Sequence, residues 1–189
     1  DTWEQGSEEY TGNNGVWGQM SADEELGLVF LPTEMPTGDY YGGHRPGKNL
    51  FSDSLVAVDL KTGKRKWHYQ FIEHDIWDWD IPCAPIIADV TIDGRMRKII
   101  AQPTKQGWLY VFDRVTGEPI WPFEERKVEA SDVPMEKTNP TQKFVVKPPA
   151  YEKQGVAIDD LIDFTPALRA EAVKLASRFK IGPIFTPPV

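Results

Sequence analysis

The 189-residue chain is 40% hydrophobic and 12% aromatic, enough for a packed core, and its 21 basic and 29 acidic residues leave a net charge of −8. An acidic surface without basic runs argues against nucleic acid as a partner, and no apolar stretch reaches the length of a membrane span. A single cysteine, Cys83, rules out an internal disulfide and reads as a small buried apolar residue.

Residues 1–14 are polar and rich in Gly and Asn, show no export signal, and read as loop. Residues 16–20, carrying Trp17, are a short strand candidate; 21–27 read as a turn and 28–31 as a strong strand. The Pro-, Gly- and Tyr-containing stretch 32–49 is a long loop of the kind that tends to carry function. Further strands are expected near 53–59, 65–71, 86–92, 98–104 and 108–113, with Asp93-Gly94 turning between two of them. Residues 122–149, Pro-rich and charged, read as an extended excursion over the surface. One helix is expected over 166–180. Thr165 caps it, Pro166 suits its first turn, and Gly182-Pro183 ends it. Leu168, Val173, Leu175 and Phe179 give an apolar face to pack the segment onto the sheets.

One pattern occurs twice, 54 residues apart (113 − 59): Asp59-x-x-Thr62-Gly63-x-x-x-Trp67 and Asp113-x-x-Thr116-Gly117-x-x-x-Trp121. Each copy follows an apolar, β-prone run and reads as a hairpin. One strand ends at the Asp, Thr-Gly turns where positive φ costs little, and the Trp caps the next strand. A repeat of this period points to an array of small sheets with the indole filling between neighbours. Neither end carries a capping element, so the chain is expected to be a piece of a longer array.

The segment Glu73-His-Asp-Ile-Trp-Asp-Trp-Asp80 concentrates acids and indoles. On a strand, Trp77 and Trp79 would point one way and Asp78 and Asp80 the other. Two acids beside bulky aromatics make a shielded polar pocket, in which a carboxylate serves as base or metal ligand. The residues alone equally allow an Asp that accepts backbone N–H groups at a turn.

Residues 15–121 resemble the pyrroloquinoline quinone (PQQ)-dependent alcohol and glucose dehydrogenases. The resemblance is carried by Val16-Trp-Gly18, Asp39-Tyr-Tyr-Gly-Gly43, the two repeats, His74-Asp-Ile-Trp-Asp78 and Thr104-Lys-Gln-Gly107 in order and spacing. Residues 122–189 are similar to the insertion of the membrane-type, sugar-oxidising branch. The resemblance implies an all-β fold, an eight-bladed β-propeller, of which residues 1–121 would supply a partial set of blades and 122–189 a Pro-rich insertion with a helix. It implies hydride transfer from a sugar or alcohol hydroxyl to PQQ, electrons passing to ubiquinone or a cytochrome. The setting it implies is periplasmic, either free or anchored to the inner membrane by a segment upstream.

Carried over by position, Asp78 matches the catalytic base, Lys105 the basic residue on the reactive quinone oxygens, and Trp17 the indole on which the cofactor stacks. The implied metal is Ca²⁺, or Mg²⁺ or a rare-earth ion, with Asp78 among its ligands. Here the pattern departs: Met35 stands where the family carries a ligating Asn, and a thioether is a poor ligand for a hard cation. Thr37 is the preferred substitute, with Glu34 the other. Asp80 resembles an acid associated with rare-earth ions, which sugar enzymes carry too. Two other readings stand beside the enzyme: a non-catalytic propeller scaffold for protein–protein interaction, and a lectin-like propeller using Tyr40 and Tyr41.

Overall fold

A computed structural model describes residues 2–189, built from two antiparallel sheets that share a core, a small third sheet and one helix. The first sheet runs in the order β1 (Ser21–Asp23), β2 (Leu28–Pro32), β3 (Ser54–Asp59), β4 (Arg65–Gln70). The second is β5 (Ile86–Ile92), β6 (Arg95–Pro103), β7 (Leu109–Asp113). Alternation of side chains along β2 sends Leu28 and Phe30 inward, and register pairs Phe30 with Ala57 and Ala57 with Trp67.

The two repeat turns are near copies. Asp59 Oδ1 accepts the Lys61 and Thr62 N–H groups and the Thr62 hydroxyl, and Asp113 Oδ1 does the same for Val115 and Thr116. Gly63 and Gly117 follow at φ +66° and +77°, the left-handed region that favours glycine. The first indole then does what the repeat implies. Trp67 is buried, donates from Nε1 to the Arg114 carbonyl at 3.2 Å, and lies against Gly117 of the next repeat. Its ring also meets Phe30 at 5.7 Å and Phe112 at 6.4 Å between centroids, so one side chain joins both sheets. Arg114 adds a polar tie. Its buried guanidinium donates to Asp23 on β1 at 2.5 Å and to Asp89 on β5 at 2.7 Å.

Several expectations are corrected. Residues 16–20 form no strand; the edge strand is β1, which takes the first part of the expected turn and is held by pairing with β2. The 122–149 stretch contains a two-stranded sheet, β8 (Glu124–Lys127) with β9 (Thr141–Phe144). It is more than a surface excursion, since Phe123, Phe144 and Val145 pack into the main core. The helix α1 spans Pro166–Ala176, with the Thr165 hydroxyl accepting the Leu168 N–H as expected. Its intended packing face is open: Leu168, Leu175 and Phe179 are 41%, 54% and 62% exposed. Cys83 is exposed rather than buried, because it sits in a bend between Pro82 and Pro85 beyond the core. Among the described residues no helix is long and apolar enough to cross a membrane.

Candidate functional site

The acid–indole segment is a loop, not a strand, and its shape comes from Asp75. This buried carboxylate accepts the Trp77 N–H at 2.7 Å and the Trp79 N–H at 2.6 Å, one on each oxygen. Two such bonds from residues two and four places onward wrap the chain around the carboxylate. Between them Asp78 takes a left-handed φ of +63°, a conformation an Asp tolerates better than most residues. The indoles hold the loop down: Trp77 packs edge-on to Phe185 and donates from Nε1 to the Thr186 carbonyl at 2.9 Å. Asp78 and Asp80 therefore share a side, as expected, through a clamped loop instead of strand alternation.

Lys105 lies between them. Its Nζ stands 3.4 Å from Asp78 Oδ1, 3.2 Å from Asp80 Oδ2, and 3.0 Å from the Asp78 carbonyl to which it donates. Burial, followed by the neighbouring Asp80, raises the Asp78 carboxyl from its ordinary value, with Lys105 acting against both. Burial would lower Lys105, but the two carboxylates outweigh it and keep the ammonium charged.

Trp17 is 59% exposed, leaving an indole face open. Its segment is seated beside the acid loop. A Cβ on Gly18 would stand 2.5 Å from the Pro82 carbonyl oxygen, two residues past Asp80, and Ser21 Oγ donates to the Pro85 carbonyl at 2.5 Å. A flat apolar platform, a fixed cation and a part-buried carboxylate fit a planar, anionic quinone.

The metal side of the site is less complete. The Thr37 hydroxyl donates to the Gly12 carbonyl at 3.3 Å, Glu34 Oε1 accepts the Gly15 N–H at 2.9 Å, and among the described residues no hydrogen bond joins either to Asp78. Met35 is buried and gives its backbone N–H to Asp80 Oδ1 at 2.9 Å. Among the described residues no three His, Cys, Asp or Glu side chains are grouped to hold a metal ion.

Sequence reasoning assigned no role to Asp75, although Asp is a residue type whose side chain accepts backbone N–H groups two places on in an Asx-turn. Nor did it find Arg45, fully buried beneath the loop. Arg45 Nη2 donates to the Asp75 carbonyl at 2.5 Å and Nη1 to Asn49 Oδ1 at 2.9 Å. Nothing in its Arg-Pro-Gly context announces that burial.

Compared with known proteins, residues 1–189 match the model of the PQQ glucose/ethanol/alcohol dehydrogenase β-propeller domain. The chain belongs to this family. The glycerol dehydrogenase large subunit of Gluconobacter thailandicus is 35% identical over 181 residues, covering 94% of this chain and 24% of that protein. The quinoprotein glucose dehydrogenase of Escherichia coli is 37% identical over 129 residues, 68% of this chain and 16% of the relative. Among solved structures, a europium-containing methanol dehydrogenase aligns with TM-score 0.59 at 32% identity, over 64% of this chain and 21% of that one. The quinohemoprotein alcohol dehydrogenase of Comamonas testosteroni gives 0.59 at 29% identity, over 77% and 22%. The chain thus spans about a fifth of the length of these relatives, and its sheets are a partial set of blades of the PQQ β-propeller.

Proposed function

We propose that the protein to which this segment belongs oxidises a sugar or alcohol hydroxyl with PQQ. The observation that carries this is Lys105 held within 3.4 Å of Asp78 and 3.2 Å of Asp80, with the exposed Trp17 on a segment whose next residue, Gly18, abuts Pro82. When bound, the quinone supplies a carbonyl carbon that takes up hydride. The chain's own groups do the rest. Asp78, held beside Lys105, takes the substrate hydroxyl proton on a side-chain oxygen. Lys105 keeps a positive charge where negative charge develops on the quinone oxygens, and Trp17 holds the ring plane. A hard cation, Ca²⁺, Mg²⁺ or a rare-earth ion, would take one ligand from Asp78, with Thr37 preferred over Glu34 as a further candidate within these residues.

Residues 1–121 act as the blade portion carrying the quinone site and 122–189 as an insertion. Electrons leave to ubiquinone or a cytochrome, and the setting is periplasmic, free or membrane-anchored. Asp78→Asn in the full-length protein tests the assignment. Dye-linked turnover should fall about a hundredfold or more, the lower end of general-base contributions, while PQQ binding followed by absorbance stays largely intact. Wild-type turnover in the variant would remove Asp78 from its role, and absence of saturable PQQ binding to the wild type would favour a scaffold.

A further inference from the structure

The turn that presents Lys105 carries a second polar side chain to which the proposed chemistry gives no part. Gln106 follows Lys105 in a turn closed by the Gly107 N–H, which donates to the Thr104 carbonyl at 3.1 Å. It is 1% exposed, yet neither its Nε2 nor its Oε1 has a hydrogen-bond partner. The indole Nε1 of Trp79, in the acid loop, is likewise buried and unpaired. Buried donors and acceptors are nearly always paired, and one left open carries a desolvation penalty that a partner must offset. Two donor nitrogens and one acceptor oxygen stand open on the two segments that make the site.

Both residues line a cavity of about 330 Å³, within the range of small-molecule sites, about 300–1,000 Å³. Lys105 lines it too, and its Nζ stands 3.4 Å from Asp78, so the cavity borders the reaction centre. Trp17, the platform for the quinone, is not on its wall. The far wall comes from the 122–189 segment. That segment is seated on the Lys105 turn by the Tyr151 N–H, which donates to the Gly107 carbonyl at 2.9 Å, and by Gln154 Nε2, which donates to the Gln106 carbonyl at 2.7 Å. The lysines of the wall are already balanced: Lys105 by Asp78 and Asp80, Lys180 by Glu129 at 2.7 Å, and Lys153 by Asp160. An anionic ligand would find each ammonium committed to a carboxylate. Hydroxyl groups, each both donor and acceptor, match the open amide and indole N–H.

We propose that Gln106 and Trp79 determine substrate specificity, holding hydroxyl groups that lie away from the reacting carbon in a cavity whose outer wall is the 122–189 segment. Gln106 accepts from one hydroxyl through Oε1 and donates to another through Nε2, and Trp79 Nε1 donates to a hydroxyl oxygen. The compound that fits is uncharged and carries several hydroxyls. A simple alcohol leaves the buried groups unpaired, and a hydroxy acid brings a charge that the cavity does not balance. That the bound compound is the substrate rests on the dehydrogenase reading.

Titration calorimetry on the full-length protein, free of PQQ so that nothing turns over, tests this with D-glucose, glycerol and D-gluconate. Glucose or glycerol should bind saturably, and gluconate about tenfold more weakly than the better of the two, or weaker still. Gln106→Met keeps the length of the side chain without its amide and should weaken that binding about tenfold or more, through the loss of two hydrogen bonds. Trp79→Phe keeps a ring without the N–H and should weaken it about threefold, which decides the case if Gln106→Met fails to fold. Wild-type affinity in either folded variant overturns the role of that residue. Gluconate binding as tightly as the neutral compounds overturns the charge argument, and no saturable binding of glucose or glycerol overturns the cavity as a site. If PQQ does not bind while these affinities behave as expected, the dehydrogenase reading falls and the cavity assignment stands. Dye-linked oxidation of either compound with a wild-type KM in Gln106→Met does the reverse.

Discussion

The two repeat glycines offer a matched pair of substitutions. Gly63 and Gly117 occupy the same place in the same turn at nearly the same φ, +66° and +77°. A Cβ at either pays the left-handed penalty of about 1–2 kcal/mol. At Gly63 that is the whole cost, since the added carbon would meet nothing within 4 Å. At Gly117 it would stand 2.6, 2.7 and 2.8 Å from Cδ2, Cε3 and Cγ of Trp67, against an ordinary contact of about 3.5–4.0 Å. The indole has no retreat, being buried, bonded to the Arg114 carbonyl and packed against Phe30 and Phe112. Overpacking of this kind adds about 1–3 kcal/mol. Gly63→Ala should therefore destabilise by about 1–2 kcal/mol and Gly117→Ala by about 2–5 kcal/mol. Urea unfolding of the full-length variants measures both. Adding Trp67→Leu should make the Gly117 change cheaper than additivity predicts, because the obstructing ring is gone. Equal midpoints for the two alanine variants would refute the claim that Trp67 seats on the next repeat.

Burial, followed by Arg45, holds the His74 imidazole down to about 4, while its Nδ1 donates to the Gly47 carbonyl at 2.8 Å. As pH falls from about 6.5 to 4 the unfolded chain takes up a proton that the folded one refuses, so about 3 kcal/mol of stability should be lost in that window. His74→Asn, which keeps an N–H donor without titrating, should flatten that slope in unfolding midpoints measured against pH. Arg114→Met strands the buried Asp23 and should destabilise by about 3–5 kcal/mol, with Asp23→Asn in the same chain recovering part of the loss by urea unfolding. Trp17→Ala should weaken PQQ binding about tenfold in an absorbance titration, a loss of about 1.4 kcal/mol, and shift stability by less than about 0.5 kcal/mol because the indole is mostly exposed.

What could be read in advance was what neighbours in sequence decide. The hairpin turns follow from an Asp, a Thr and a Gly within five residues, and the capped start of α1 from Thr165-Pro166. Alternating apolar side chains placed β2 through β7 within a few residues of their ends. The misses are elements that distant partners create. β1 is polar and exists through pairing with β2, and β8, four exposed charged residues, exists through pairing with β9. At the site, Asp78, Lys105 and Trp17 stood out through a family pattern, whereas Arg45 gains meaning only when folding buries it under Asp75. A buried charge looks like any other charge until its surroundings are known.

Trp67 resting on Gly117 also bears on how such a chain can lengthen. In the joint seen here the Trp67 indole of the first unit reaches Gly117 of the second, and each copy of the pattern carries a glycine and an indole at those two places. A tandem copy of the gene segment encoding one unit therefore arrives with a compatible surface at each end, and no new contact has to be invented for it to be accommodated. Growth by duplication needs that property, and here it resides in two residues four positions apart.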